Sequence, residues 1–312
     1  MKHNERKGVF IDPKIDFSFK RLFGRDENKA LLIDFLNEVF RGEFKFSDVV
    51  YNDKEQAGRS DMKSVVYDIY CTTDTGVKVI VEMQFADNVE FFNRSYYYIG
   101  RALNEQLDHG DAYYLKLVIG VFITNFRSEH FKRYKLEYRV VEINTGEIVD
   151  APFRMIYFSL PLFNKSEEEC VTKLDKWLYL LKNMENLKQL PWVNDPVFRK
   201  LAEEGAIENL SRDEYAKYQH EIDDIRITLG TIKMNREQGR KEGREEGLKE
   251  GMEKGLEKGM EKGMEKGMEK GMEKGAESER QRMILEMKSS GLSDEQISEM
   301  VKIPLDYVKN VR

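Results

Sequence analysis

The stretch SVVYDIYCTTDTGVKVIVEMQF, residues 64–85, constrains the fold of this chain more than any other. Its two arms, 64–71 and 77–85, are rich in Val, Ile and Tyr and flank Asp74-Thr75-Gly76. Such runs on either side of a three-residue loop predict a β-hairpin with Gly76 in the left-handed conformation. A loop of that length pairs Thr73 with Val77, and the register it sets makes Asp68 face Glu82. Side chains alternate along a strand, so Val66, Asp68, Tyr70, Ile80, Glu82 and Gln84 share one sheet face. The other face, from Val65, Tyr67, Ile69 and Cys71 to Val79, Val81, Met83 and Phe85, has the character of a core.

Directly opposed residues hold their Cβ atoms about 4.5–5.5 Å apart, and like charges there repel. A bound divalent cation compensates such a pair, because Mg²⁺ is held by one or two protein carboxylates together with waters and phosphate oxygens. A solvated face that merely tolerates the pair is the other reading. Val66, Tyr70 and Ile80 on the same face point towards a partly covered pocket. The argument depends on register, since a slip of one residue moves every side chain to the opposite face.

Asp68 followed by Glu82-Met83-Gln84 on the next strand resembles the PD-(D/E)xK nuclease signature in the form found in the Rpn family of recombination-promoting nucleases and transposases. The same resemblance takes in Asp16-Phe17-Ser18-Phe19-Lys20, Leu22-Phe23-Gly24, Leu36-Asn37, and Arg94 with Tyr97-Tyr98, and it is close over residues 11–125. It implies an α/β, PD-(D/E)xK nuclease-like core, a mixed central sheet flanked by helices, with a helical C-terminal extension. It also implies metal-dependent DNA endonuclease activity linked to recombination or transposition, with Asp68 and Glu82 as catalytic ligands of Mg²⁺ or another divalent cation. Gln84 stands where most of the superfamily carries lysine. An amide cannot act as a general base, so water activation falls to the metal, and Gln84 is left to orient the water or hold a phosphate oxygen. Lys20, Arg94 and Tyr98 are the expected substrate-binding residues.

The net charge of −6 with 35% charged residues gives no global basic character, so phosphate contact must come from local patches. This favours, as the competing reading, a non-catalytic DNA-binding or assembly protein on a nuclease fold. Cys71 and Cys170 alone imply no disulfide framework and favour a reducing compartment. The opening MKHNERKG does not read as a signal peptide, and the longest apolar run, near residues 117–124, is too short for a membrane. The chain reads as cytoplasmic. Its four histidines have no zinc-ligand spacing.

Taken in order, residues 1–10 are loose and polar, and 11–160 form the nuclease-like domain. Residues 16–24 predict a short helix that packs its phenylalanines inward. The spacing of Leu31, Leu32, Phe35, Leu36, Val39 and Phe40 predicts a helix stopped by Gly42. A first strand is expected within 44–51, before a polar loop over 52–61. Asn88 is the expected cap of a helix over 90–108, closed by His109-Gly110. On that helix Arg94, Tyr97, Tyr98 and Arg101 fall on one stripe, suited either to a phosphate backbone or to covering the sheet while the arginines pair with Glu90 and Glu105. The apolar run 115–124 predicts a buried strand, with further strands over 136–144 and 153–160.

A helical extension covers 161–235, with helices expected over 167–183, 195–203 and from 212 to about 228. Residues 236–278 are a low-complexity spacer with glycine at every fourth position from Gly239 to Gly275. Each interior glycine costs a helix ~1 kcal/mol relative to alanine. A partly helical, solvated spacer is expected, with methionine-lined self-association into a homo-oligomer as the alternative. Residues 279–312 form a small helical tail resembling a helix-turn-helix. Ser293 and Gln296 have the spacing of a capping box. With only Lys309 and Arg312 as cations in its last helix, the tail suits packing better than DNA contact.

Overall fold

The computed structural model describes residues 8–52, 55–56, 64–86, 90–107, 110 and 112–312. The chain divides into two compact units, Met1–Gly230 and Thr231–Arg312.

In the first unit, helices α1 (Asp16–Phe23) and α2 (Lys29–Val39) lead to strand β1 (Val49–Tyr51). Strands β2 (Glu55–Gln56) and β3 (Val65–Val66) pair with each other, and β4 (Ile69–Thr73) and β5 (Lys78–Gln84) form the hairpin. Then come helix α3 (Phe91–Asn104) and strands β6 (Val118–Thr124), β7 (Lys135–Tyr138) and β8 (Phe153–Ser159). Helices α4 (Lys173–Asn183), α5 (Pro196–Gly205) and the start of α6 (Arg212–Ser289) follow. The six-stranded sheet has the order β1-β4-β5-β6-β8-β7. Its centre, β5-β6-β8, is parallel, and antiparallel strands flank it on both sides. Helix α3 is the crossover between the parallel strands β5 and β6, as a parallel pair requires.

Apolar side chains fill both faces of this sheet. Ile69, Cys71, Val79 and Val81 of the hairpin, with Ile119, Val121 and Ile123 of β6, need a cover on one side, and α1, α2, α4 and α5 supply it around Phe23, Phe35 and Trp177. On the other side Tyr70, Ile80, Phe122 and Tyr157 pack under Phe91, Ile99 and Ala102 of α3. Gly120 on β6 permits the close approach of α3, because a Cβ there would meet the Phe122 ring and lie 2.9 Å from Ile99 Cδ1.

The hairpin register is the one the loop length predicts: Ile69 faces Val81, Tyr70 faces Ile80 and Cys71 faces Val79, with Gly76 at φ +82°. The first arm, however, is not one strand. It breaks at Tyr67 and Asp68, so Val65 and Tyr67 join Tyr70 and Ile80 on the α3 side instead of the opposite face, and Val66 is exposed. Asp68 makes side-chain bonds where a ladder would otherwise continue. This releases Tyr67 to pack its ring 4.8 Å from that of Tyr70 and 5.2 Å from that of Tyr98.

Other departures have local causes. The expected strand over 44–51 shortens to β1, because Phe44 and Phe46 turn in to pack against Phe40. Asn37 clamps this turn, donating to the Phe46 carbonyl at 2.9 Å and accepting from its amide at 2.8 Å. Thr172 starts α4 with a capping box to Asp175, later than the expected 167. Asp195, the expected first residue of α5, is instead its cap and accepts from the Val197 amide. The expected Asn88 cap, the His109 stop and most of the polar loop over 52–61 lie outside the described residues.

In the second unit α6 continues without interruption through the glycine repeat, where a partly helical spacer was expected. Helices α7 (Asp294–Val301) and α8 (Leu305–Asn310) close a small core of Ile284, Ile297, Val308 and Val311. Ser293 and Gln296 form the expected capping box.

Candidate nuclease site

The site sits where the hairpin ladder ends. Ile69 and Val81 are the last paired residues, and Asp68 and Glu82 occupy the next facing positions. The Asp68 amide donates to Glu82 Oε1 at 3.0 Å, and Asp68 Oδ2 accepts from the Met83 amide at 2.9 Å. Each acid thus ties down the other strand, and both are held beneath the surface: Glu82 is 6% exposed, and the Asp68 side chain 17%.

Burial is the main cause of their altered acidity. It pushes the Asp68 carboxyl up to about 6, helped by the nearby Asp16 and opposed by the Met83 amide and Lys20. Burial and then the Asp68 charge raise Glu82 well above the ordinary carboxylate range, against the Asp68 amide, Arg94 and Lys20. Two acids that resist ionisation at one spot are a place where added positive charge is stabilising.

Helix α1 brings Lys20 to within 3.8 Å of Asp68 while pairing it with Asp16 at 2.8 Å. Burial lowers the basicity of Lys20, but Asp16, Asp68 and Glu82 more than offset this and keep it charged. Asp16 therefore stands beside the acid pair, although reading the sequence placed it only in the matched motif, with no role. Its position four residues before Lys20 on one helix was the available signal. Glu221 of α6 holds this helix start in place, accepting from the Phe17 amide at 2.8 Å.

Helix α3 supplies the opposite wall. Arg94 donates to Gln84 Oε1, and Gln84 Nε2 donates to the Ala86 carbonyl at 3.0 Å. The Arg94 guanidinium also lies 5.8 Å from the Tyr98 ring centre. Burial first, and Glu82 second, push the Tyr98 hydroxyl up to about 12. Ser64, Glu90, Asn93, Arg94, Tyr97 and Tyr98 line an open cleft of about 360 Å³ beside the acids. The structure therefore gathers Lys20, Asp68, Glu82, Gln84, Arg94 and Tyr98 in one region. Arg101 follows the second reading of the stripe: it is buried beside Tyr67 and Glu105 and belongs to the packing of α3 on the sheet.

Among the described residues, no group of three or more His, Cys, Asp and Glu side chains is placed to hold a metal ion. The donor chemistry of Asp68 and Glu82 nevertheless fits a hard divalent cation, since Mg²⁺ takes only one or two carboxylates and fills its remaining positions with water and phosphate.

A mixed sheet flanked by helices, with Glu82 on β5 and Asp68 immediately before β4, defines a PD-(D/E)xK-like α/β core. The model of the PD-(D/E)XK nuclease family transposase matches residues 13–225, and the chain belongs to that family. Searches of curated proteins and of solved structures return no match. No helix among the described residues is long and apolar enough to cross a membrane.

Proposed function

We propose that this protein is a metal-dependent DNA endonuclease that hydrolyses phosphodiester bonds in the course of recombination or transposition. The observation that carries the reading is the opposition of Asp68 and Glu82 in a buried position, each with its carboxyl pushed towards the neutral form. Asp68 and Glu82 would hold Mg²⁺ or another divalent cation through carboxylate oxygens. Bound there, the cation supplies a water of lowered pKa and neutralises charge on the scissile phosphate. Arg94 binds a backbone phosphate oxygen, and Lys20 balances the negative charge at the Asp68 edge. Gln84 exchanges its bond to Arg94 for one to the attacking water or to a phosphate oxygen, and Tyr98 lines the approach. The buried free thiols of Cys71 and Cys170 support a reducing, cytoplasmic setting.

Conversion of supercoiled plasmid to nicked or linear forms tests this reading: it should require a divalent cation and stop on addition of EDTA. One observation favours a second reading, a DNA-binding or assembly protein without catalysis. Gln84 is engaged at both ends of its amide, by Arg94 and by the Ala86 carbonyl, and takes the place of the usual lysine. In that case the protein should show salt-dependent DNA affinity unaffected by EDTA, and no cleavage.

A further inference from the structure

Strand β7 is the last of its sheet, and among the described residues no strand pairs with its outer edge. The bonds on its inner side fix which backbone groups that edge offers. The Ser159 amide donates to the Tyr134 carbonyl, the Val149 amide to the Val140 carbonyl, and the Glu142 amide to the Glu147 carbonyl. Residues 134, 140 and 142 therefore turn their backbone groups inward, and alternation turns those of Lys135, Glu137, Arg139 and Val141 outward.

An open edge is ordinarily blunted by charged side chains or kept very short. Lys135, Glu137 and Arg139 supply charge here, yet Tyr138, Val140 and Val141 stand exposed along the same edge, with Ile148 and Val149 on the returning arm behind it. The charged side chains are also already ordered. Arg139 bonds Glu137 and Glu43, and Glu137 bonds Arg154.

We propose that this edge pairs with the same edge of a second copy of the chain, antiparallel, about a twofold axis through Tyr138. Outward groups bond only to outward groups, so the axis must pass through a residue and not between two. Among those registers the charges choose. An axis through Glu137 opposes that acid to itself and Lys135 to Arg139. One through Arg139 opposes the guanidinium to itself, and one through Leu136 sets Arg133 against Arg139. An axis through Val140 sets Tyr138 against Glu142 and gains no ion pair. With the axis at Tyr138, Glu137 of each copy lies opposite Arg139 of the other, Leu136 lies opposite Val140, and the two Tyr138 side chains meet. Opposite charges and apolar pairs facing one another stabilise a sheet, and like charges do not. The edge is thus complementary to itself in one register, which names the occupant as an identical segment and closes the assembly at two chains.

Three measurements on the full chain test the proposal, and none depends on DNA cleavage. Sedimentation over a concentration series should show a reversible dimer and nothing larger. Facing residues at the axis hold their Cβ atoms about 4.5–5.5 Å apart, so Tyr138→Cys should link to its own copy under mild oxidation. Lys135→Cys, about 20 Å from its own copy in this register, should not link, and the native thiols of Cys71 and Cys170 are buried. Val141→Pro removes an outward donor and none of the chain's own bonds, so the dimer should weaken at least about tenfold with an unchanged circular dichroism spectrum. A monomer at all concentrations, assembly beyond two chains, linkage at Lys135→Cys in place of Tyr138→Cys, or a dimer that Val141→Pro leaves undiminished overturns the proposal.

Discussion

The backbone amide of Asp68 donates a 3.0 Å hydrogen bond to the carboxylate of Glu82, at the position where the sheet ladder of the hairpin stops. The strands remain joined there through the acids themselves. The same two residues that read as a repulsive pair in the sequence therefore have a structural role, and their charge is what a bound cation would balance.

Thermal unfolding separates these two roles. Asn at 68 or Gln at 82 keeps an acceptor and removes one charge, so in EDTA Asp68→Asn and Glu82→Gln should melt at or above the wild-type midpoint. Added Mg²⁺ should raise the midpoint of the wild type alone, because ligand binding to the folded state is the source of the gain. Equal shifts in all three proteins would place the cation elsewhere.

Arg94 is the proposed phosphate contact, and its guanidinium is held by Gln84. Arg94→Ala should weaken DNA binding and reduce the slope of log affinity against log salt by about one. Arg94→Lys should recover only part of the affinity, because an ammonium lacks the planar fork. An unchanged salt slope would remove Arg94 from the interface.

Glu214 anchors the first turn of α6 to α1, pairing with Arg21 at 2.5 Å and Arg25 at 2.9 Å. Burial raises its pKa, but the Ser211 amide, Arg25 and Arg21 bring it down from 4.5 to about 2. A carboxyl depressed on folding stabilises the fold above its unfolded pKa and loses that contribution as pH falls through the folded value. Glu214→Gln should therefore cost about 1.5–3 kcal/mol at pH 7. Denaturant titrations of both proteins should show this difference shrinking between pH 4.5 and 2, and a constant difference would contradict the assignment.

The loop Asp74-Thr75-Gly76 made the hairpin register legible, because turn length and a left-handed glycine leave little choice of pairing. Asp68 and Glu82 followed from it. The break at Tyr67 was not legible, because it depends on Asp68 bonding to Glu82 and Met83 and on a ring of α3, contacts set by the tertiary fold. Asp16 stood in the matched motif without a role for a related reason: α1 is remote in sequence from the hairpin, and a period-two reading of strands says nothing about which helix end meets them. Asn37 stood in the matched motif without a role, and its two hydrogen bonds to the Phe46 backbone make it a structural clamp. The continuity of α6 ran against propensity, since ten interior glycines at four-residue spacing argue for interruption.

In the proposed reading Asp68 and Glu82 together form a metal-dependent hydrolytic site. Plasmid nicking by the wild type, Asp68→Asn and Glu82→Gln, side by side with Mg²⁺ and folded by the melting criterion above, tests it most directly. The wild type should cleave, and either variant should lose at least about a hundredfold of that activity. Cleavage that persists in both folded variants, or its absence from the wild type, would contradict it.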